Sequence, residues 1–189
     1  DFIRLSGIFR DVFLFCKDKE ASIFDFNYTT EFDDAYENAV LNAETTLRRY
    51  SEEGDAEGYV VEATLFDADD QVVFSQSMGD VVFDGEEATV TLAVDVESPK
   101  QWSAEEPNLY QMVFALKDGE GNIIETAGCN VGFRQVEIIN KGTAEAQITI
   151  NGQPIMFKGV NRHETSGETG RHITEESMIK DIKLMKQYN

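Results

Sequence analysis

Cysteine, histidine and positive charge are all scarce in this 189-residue chain, which holds two cysteines, two histidines and 16 basic side chains. Two cysteines, Cys16 and Cys129, cannot build a disulfide framework and are not spaced as zinc ligands. A single bridge is the one pairing their number permits; otherwise both read as small buried hydrophobes in a reducing compartment, and a cytoplasmic location is expected. Against the 16 basic residues stand 36 acidic ones, leaving a net charge of −20. Such a surface repels polyphosphates and anionic lipid, so neither nucleic acid nor a membrane is expected as a partner. No stretch approaches the ~18 consecutive apolar residues of a membrane-spanning helix. What is present suffices for a core: hydrophobic residues make up 41% of the chain, enough for one domain and part of another. The chain opens at Asp1 and stops at Asn189 directly after Lys186-Gln187-Tyr188, without a glycine cap, which predicts a piece of a longer protein.

Charge divides the chain in two. Residues 1–140 carry 9 basic and 30 acidic side chains, net −21, whereas residues 141–189 carry 7 and 6, net +1. Over the first part, short runs alternate apolar and polar residues between turn signals, the period of half-buried strands. Such runs cover Ile8 to Phe15, Ile23 to Tyr28, Ala39 to Leu47, Val81 to Phe83 and Ala88 to Val94. Tyr59 to Phe66, the acidic turn Asp67-Ala68-Asp69-Asp70 and Val72-Val73-Phe74 predict a hairpin. Leu109 to Leu116, Asp118 to Asn122 and Ile123-Ile124 predict a second. Turn signals every 8–12 residues or so favour a mainly β, immunoglobulin-like antiparallel sandwich, with no helix of convincing length before residue 170.

The tail differs in kind. Ile148-Thr149-Ile150, Asn151-Gly152 and Pro154 to Phe157 predict a hairpin whose Asn-Gly turn supplies two positive φ angles. Thr174 reads as a helix N-cap, with Ile173 and Met178 as a hydrophobic staple. Met178, Ile182 and Met185 then share one helix face, Glu175 and Glu176 sit at its positive end, and Lys180, Lys183 and Lys186 lie toward its negative end. Strand, loop and helix in this order are how a βα barrel begins.

Three stretches carry a family resemblance. Asp1-Phe2-Ile3-Arg4-Leu5-Ser6-Gly7-Ile8-Phe9-Arg10-Asp11-Val12 resembles the end of the sugar-binding jelly roll of family 2 glycoside hydrolases. Trp102-Ser103-Ala104-Glu105-Glu106-Pro107-Asn108-Leu109-Tyr110, with Val131-Gly132-Phe133-Arg134-Gln135-Val136-Glu137-Ile138, resembles the immunoglobulin-like domain that follows. Ile150-Asn151-Gly152-Gln153-Pro154, Lys158-Gly159-Val160-Asn161-Arg162-His163-Glu164 and Asp181 to Gln187 resemble the start of the catalytic barrel. The resemblance implies a jelly-roll strand over 1–18, the sandwich over 19–135 and a truncated (β/α)8 barrel over 136–189. Within the family the wording is closest to the β-galactosidases.

That likeness implies a longer parent, a homo-oligomer, that hydrolyses terminal non-reducing β-D-galactose residues with retention and takes magnesium and sodium. Retaining glycosidases need two carboxyl groups about 5–5.5 Å apart. In the family both are glutamates on later barrel strands, so no catalytic residue is expected here, none of the 36 acidic residues takes either role, and the chain alone binds no cofactor. His163 is implied to contact the galactosyl ring and to stabilise the transition state; an imidazole both donates and accepts hydrogen bonds. Asp1 is implied to bind sugar and sodium, although Ile3 stands where the family has tryptophan. After Glu164 the family's second histidine and proline give way to Thr165-Ser166-Gly167-Glu168-Thr169-Gly170.

The remaining residues read as structural. Trp102 and Tyr110 are expected to pin a loop to the sandwich end, Arg162 to brace the strand end against a carboxylate, and His172 to lie in a solvated loop. Two other functions stay open. One is a stand-alone carbohydrate- or protein-binding sandwich module; the other keeps the family and changes the sugar to a β-glucuronide or β-mannoside.

Overall fold

The computed structural model describes residues 7, 8, 10–18, 20–50 and 58–189. They form two compact units, one of residues 17–155 and one of the described residues up to 16 together with 156–189. The larger unit is an antiparallel sandwich. One sheet orders β1 (Ser22–Phe32), β2 (Ala39–Arg48) and β5 (Glu87–Val96) as β1-β2-β5. The other orders β3 (Val60–Phe66), β4 (Val72–Asp80), β6 (Tyr110–Lys117) and β7 (Ile123–Val131) as β4-β3-β6-β7.

The period-two pattern becomes the core. On β2, Ala39, Leu41, Ala43, Thr45 and Leu47 are all buried, while Val40, Asn42, Glu44, Thr46 and Arg48 take the other face. Val61, Ala63 and Leu65 of β3 and Met112, Phe114 and Leu116 of β6 supply the facing layer. Full burial of one such aliphatic side chain is worth about 1.5–3 kcal/mol. The Phe26 and Phe114 rings meet between the sheets with centroids 5.1 Å apart. Buried Thr45 donates its hydroxyl to Met78 Sδ at 3.6 Å, so the polar atom is not stranded.

Aspartates close the hairpins. Asp67 Oδ1 accepts from the N–H groups of Asp69 and Gln71, each at 2.9 Å, and Asp118 Oδ1 accepts from those of Glu120 at 2.9 Å and Asn122 at 2.8 Å. Asp33 does the same between β1 and β2, taking Glu37 N–H at 2.9 Å and Asn38 N–H at 3.1 Å. These bonds favour the ionised form: Glu37's N–H foremost holds the Asp33 carboxyl below its ordinary value, and Asn122's side-chain amide does so for Asp118. Part of the acidic excess is thus turn chemistry.

The Trp102 run forms the expected corner. Trp102 N–H donates to Phe133 C=O at 2.9 Å, Arg134 lies 4.8 Å from the indole centroid, and the Tyr110 hydroxyl accepts Lys100 N–H at 2.9 Å. Gly132 lies beneath the indole, where an added Cβ would come 3.0 Å from Trp102 Cγ. Gly132→Val is therefore expected to lower the melting temperature by several degrees, on the order of 1–3 kcal/mol of overpacking. An unchanged thermal transition would show that the indole moves aside freely.

Three expectations change. Residues 10–18 form no strand, and Val12, Phe13, Leu14 and Phe15 are exposed; alternation alone makes no strand without a neighbour to take its backbone hydrogen bonds. The run Val81-Val82-Phe83 is a connection, because β4 extends to Asp80 and ends at a bulge opposite Val60 and Glu62, beside Gly79 with φ 110°. Cys16 is exposed and Cys129 half-buried, so neither is a fully buried hydrophobe; both are free thiols.

Beyond the sandwich strands, β8 (Val136–Ile139), β9 (Gln147–Ile150) and β10 (Gln153–Pro154) make a small sheet ordered β10-β9-β8 within the larger unit. Its β9–β10 turn has the anticipated form, with Asn151 at φ 50° and Gly152 at φ 72°. The return strand stops at Pro154 rather than Phe157, with one further bond beyond it from Ile155 N–H to the Ile148 carbonyl at 3.0 Å.

Candidate functional site

The smaller unit carries the loop 156–174 and helix α1 (Glu175–Gln187). Thr174 caps the helix as expected, accepting Ser177 N–H at 3.3 Å. The Glu176 carboxyl lies below its ordinary value because its own backbone N–H at the helix start, and then the Thr174 hydroxyl, favour the anion. Met178 and Met185 are half-buried and Ile182 is exposed; no α1 residue is fully buried.

Two cations brace the loop. Arg162 Nε donates to Asp181 Oδ2 of α1 at 2.8 Å, which is the carboxylate pairing expected of it. Arg10 donates to Glu164 Oε2 at 3.0 Å and to the Arg171 carbonyl at 2.8 Å. These pairs are partly or largely exposed, so they fix geometry more than they add stability. Between them the chain folds tightly: Ser166 and Gly170 exchange N–H···O=C bonds of 2.7 and 3.0 Å, and Ser166 Oγ accepts Glu168 N–H at 3.1 Å.

His163 sits between the two braced residues and is exposed. Its carbonyl accepts Thr165 N–H at 2.9 Å, and no described residue is bonded to its imidazole. His172 is exposed, as expected, with its N–H on the Thr169 carbonyl at 3.2 Å and its own carbonyl taking the Thr169 hydroxyl. Arg10 lies 154 positions from Glu164, and only folding brings the two together. Asp181 stands in the run Asp181 to Gln187, and nothing local marks it as the partner of Arg162.

Asp1 lies outside the described residues. Among the described residues no three His, Cys, Asp or Glu side chains gather to hold a metal, and no helix is long and apolar enough to cross a membrane.

An antiparallel sandwich of three and four strands, followed by a hairpin, a braced histidine-bearing loop and a helix, defines an immunoglobulin-like module leading into a strand–loop–helix unit. The family model "Glycosyl hydrolases family 2" matches residues 21–134, and "Glycosyl hydrolases family 2, TIM barrel domain" matches residues 142–189. The chain belongs to glycosyl hydrolase family 2. Over its whole length it is 43% identical to a β-galactosidase of Priestia megaterium (strain DSM 319 / IMG 1521) and 38% identical to one of Halalkalibacterium halodurans. It spans 18% and 17% of those two relatives. A solved structure of Bifidobacterium dentium β-glucuronidase complexed with coumarin-3-O-glucuronide is similar with a TM-score of 0.72 and 26% identity, over 88% of this chain and 26% of that one.

Proposed function

We propose that this chain is a portion of a retaining β-galactosidase that removes terminal non-reducing β-D-galactose from β-D-galactosides. The observation that carries the reading is the 43% identity, sustained over the entire chain, to a relative named β-galactosidase. In this reading His163 donates or accepts a hydrogen bond at a galactosyl hydroxyl, and Arg162 and Glu164 hold the loop that presents it. The sandwich is a spacer that orients the jelly roll and offers surface for subunit contacts in a cytoplasmic homo-oligomer. Asp1, with sodium, and a magnesium site belong to the assembled enzyme. In this reading both catalytic glutamates lie on later barrel strands of the longer enzyme, as the family resemblance implies.

The test compares the 189-residue chain with the full-length enzyme on chromogenic β-galactoside, β-glucuronide and β-mannoside. The short chain is expected to turn over none above buffer, and the full-length enzyme to prefer the galactoside. Preference for the glucuronide, the specificity that the Bifidobacterium structure's name states, would overturn the sugar assignment. Galactoside hydrolysis by the short chain, abolished by an active-site-directed inhibitor, would overturn the placement of the glutamates.

A further inference from the structure

Although the barrel family model begins at residue 142, residues 142–155 belong to the same compact unit as the sandwich. Their attachment centres on Tyr36, in the turn between β1 and β2. Tyr36 has φ 55°, a left-handed conformation that a bulky aromatic residue adopts only when its surroundings impose it. Those surroundings are specific. Its N–H donates to the Asp33 carbonyl at 3.0 Å, its carbonyl accepts the Gln101 side-chain amide, and its hydroxyl donates to the Glu137 carboxylate on β8. The ring lies against Gly152, where a Cβ would come 2.7 Å from Tyr36 Cε2.

The same hairpin turn is gripped a second time. Asn151 is buried, its N–H donates to the Gln135 carbonyl at 2.9 Å, its Oδ1 accepts Gln135 N–H at 2.8 Å, and its Nδ2 donates to the Trp102 carbonyl at 3.3 Å. One residue earlier on β9 than Ile150, Thr149 pairs with Glu137 across the sheet and is fully buried. Its hydroxyl has no partner among the described residues. A strained tyrosine, a glycine that leaves room for its ring and a buried asparagine thus converge on a turn whose local chemistry, Asn-Gly, would close without them.

We propose that Tyr36 is a positioning residue, a latch between the sandwich and the β8–β10 sheet that fixes Ile155, the point from which the chain continues into the His163 loop. For its effect on turnover this rests on the galactosidase reading; for its effect on the hairpin it does not. The phenol is needed because only a ring long enough to pass Gly152 delivers a hydroxyl to Glu137. A lost latch loosens the hairpin and leaves the sandwich strands paired.

Tyr36→Phe keeps the ring and removes the hydroxyl. In the 189-residue chain, hydrogen exchange at Asn151 N–H, bonded to the Gln135 carbonyl, and at Ile155 N–H, bonded to the Ile148 carbonyl, is expected to quicken about tenfold, with Leu41 and Val61 unchanged. Glu137→Leu is expected to reproduce this, and Glu137→Gln, which retains an acceptor, to restore slow exchange. In the full-length enzyme Tyr36→Phe is expected to lower kcat for the galactoside about tenfold with little change in KM. Unchanged exchange at Asn151 and Ile155 would overturn the latch, and faster exchange with unchanged kcat would overturn its positioning role. A full-length wild type inactive on galactosides would overturn the function reading alone and leave exchange to judge the latch.

Discussion

Phe114→Ala is expected to cost the 189-residue chain about 3–5 kcal/mol of unfolding free energy, read from urea denaturation. Phe114 lies on β6, between β3 and β7, and is fully buried. Its ring touches Phe26 from the opposite sheet, so truncation removes transfer energy and also opens a cavity between layers that strands on both sides keep from collapsing. A domain of this size has about 5–15 kcal/mol in total. The variant should therefore approach the threshold of folding, with a lower denaturation midpoint and an unchanged m-value. A loss under about 1 kcal/mol would mean that the sheets are not packed on one another through this ring.

The second large effect concerns turnover. On the proposed galactosidase reading, in which His163 hydrogen-bonds the galactosyl group, His163→Ala in the full-length enzyme is expected to reduce kcat/KM for a β-galactoside about 10²-fold, the usual consequence of deleting one hydrogen-bonding group that acts in a transition state. The grounds are the exposed imidazole with both nitrogens unengaged by described residues, set between two residues that ion pairs hold in place. A loss confined to KM would assign His163 to uniform sugar binding. An unchanged kcat/KM would remove it from the site altogether, and circular dichroism of the variant would show whether the fold is retained.

Both predictions use features that differed in how legible they were. Phe114 was marked as strand by its run and as inward by its register with Met112 and Leu116, because side chains two apart share a face. The Asn151-Gly152 turn and the Thr174 cap were equally readable, since each is dictated by the φ angle or hydrogen bond one residue type supplies. His163 was legible as a motif, but that no described residue bonds its imidazole was not. The neighbouring side chains are occupied by Arg10 and Asp181, and Arg10 arrives from another part of the chain.

The failures share a cause. Ile8 to Phe15 is apolar enough for a strand but lacks the clean alternation of β5, and β5 has β2 beside it whereas the described residues of the N-terminal segment pair with no described strand. Cys16 follows its segment into solvent for the same reason.

The sequence by itself determined the strand periods, the hairpin turns, the helix cap and the split between an acidic first part at net −21 and a nearly neutral tail at +1. Each is a property of a few adjacent residues. Only the tertiary structure decided that the first residues matched to the barrel fold with the sandwich, that Tyr36 is strained to reach Glu137 and that Arg10 holds the histidine loop. These contacts join residues more than a hundred positions apart, and their formation depends on which strands become neighbours, a choice made by burial of the whole core rather than by any local run of side chains.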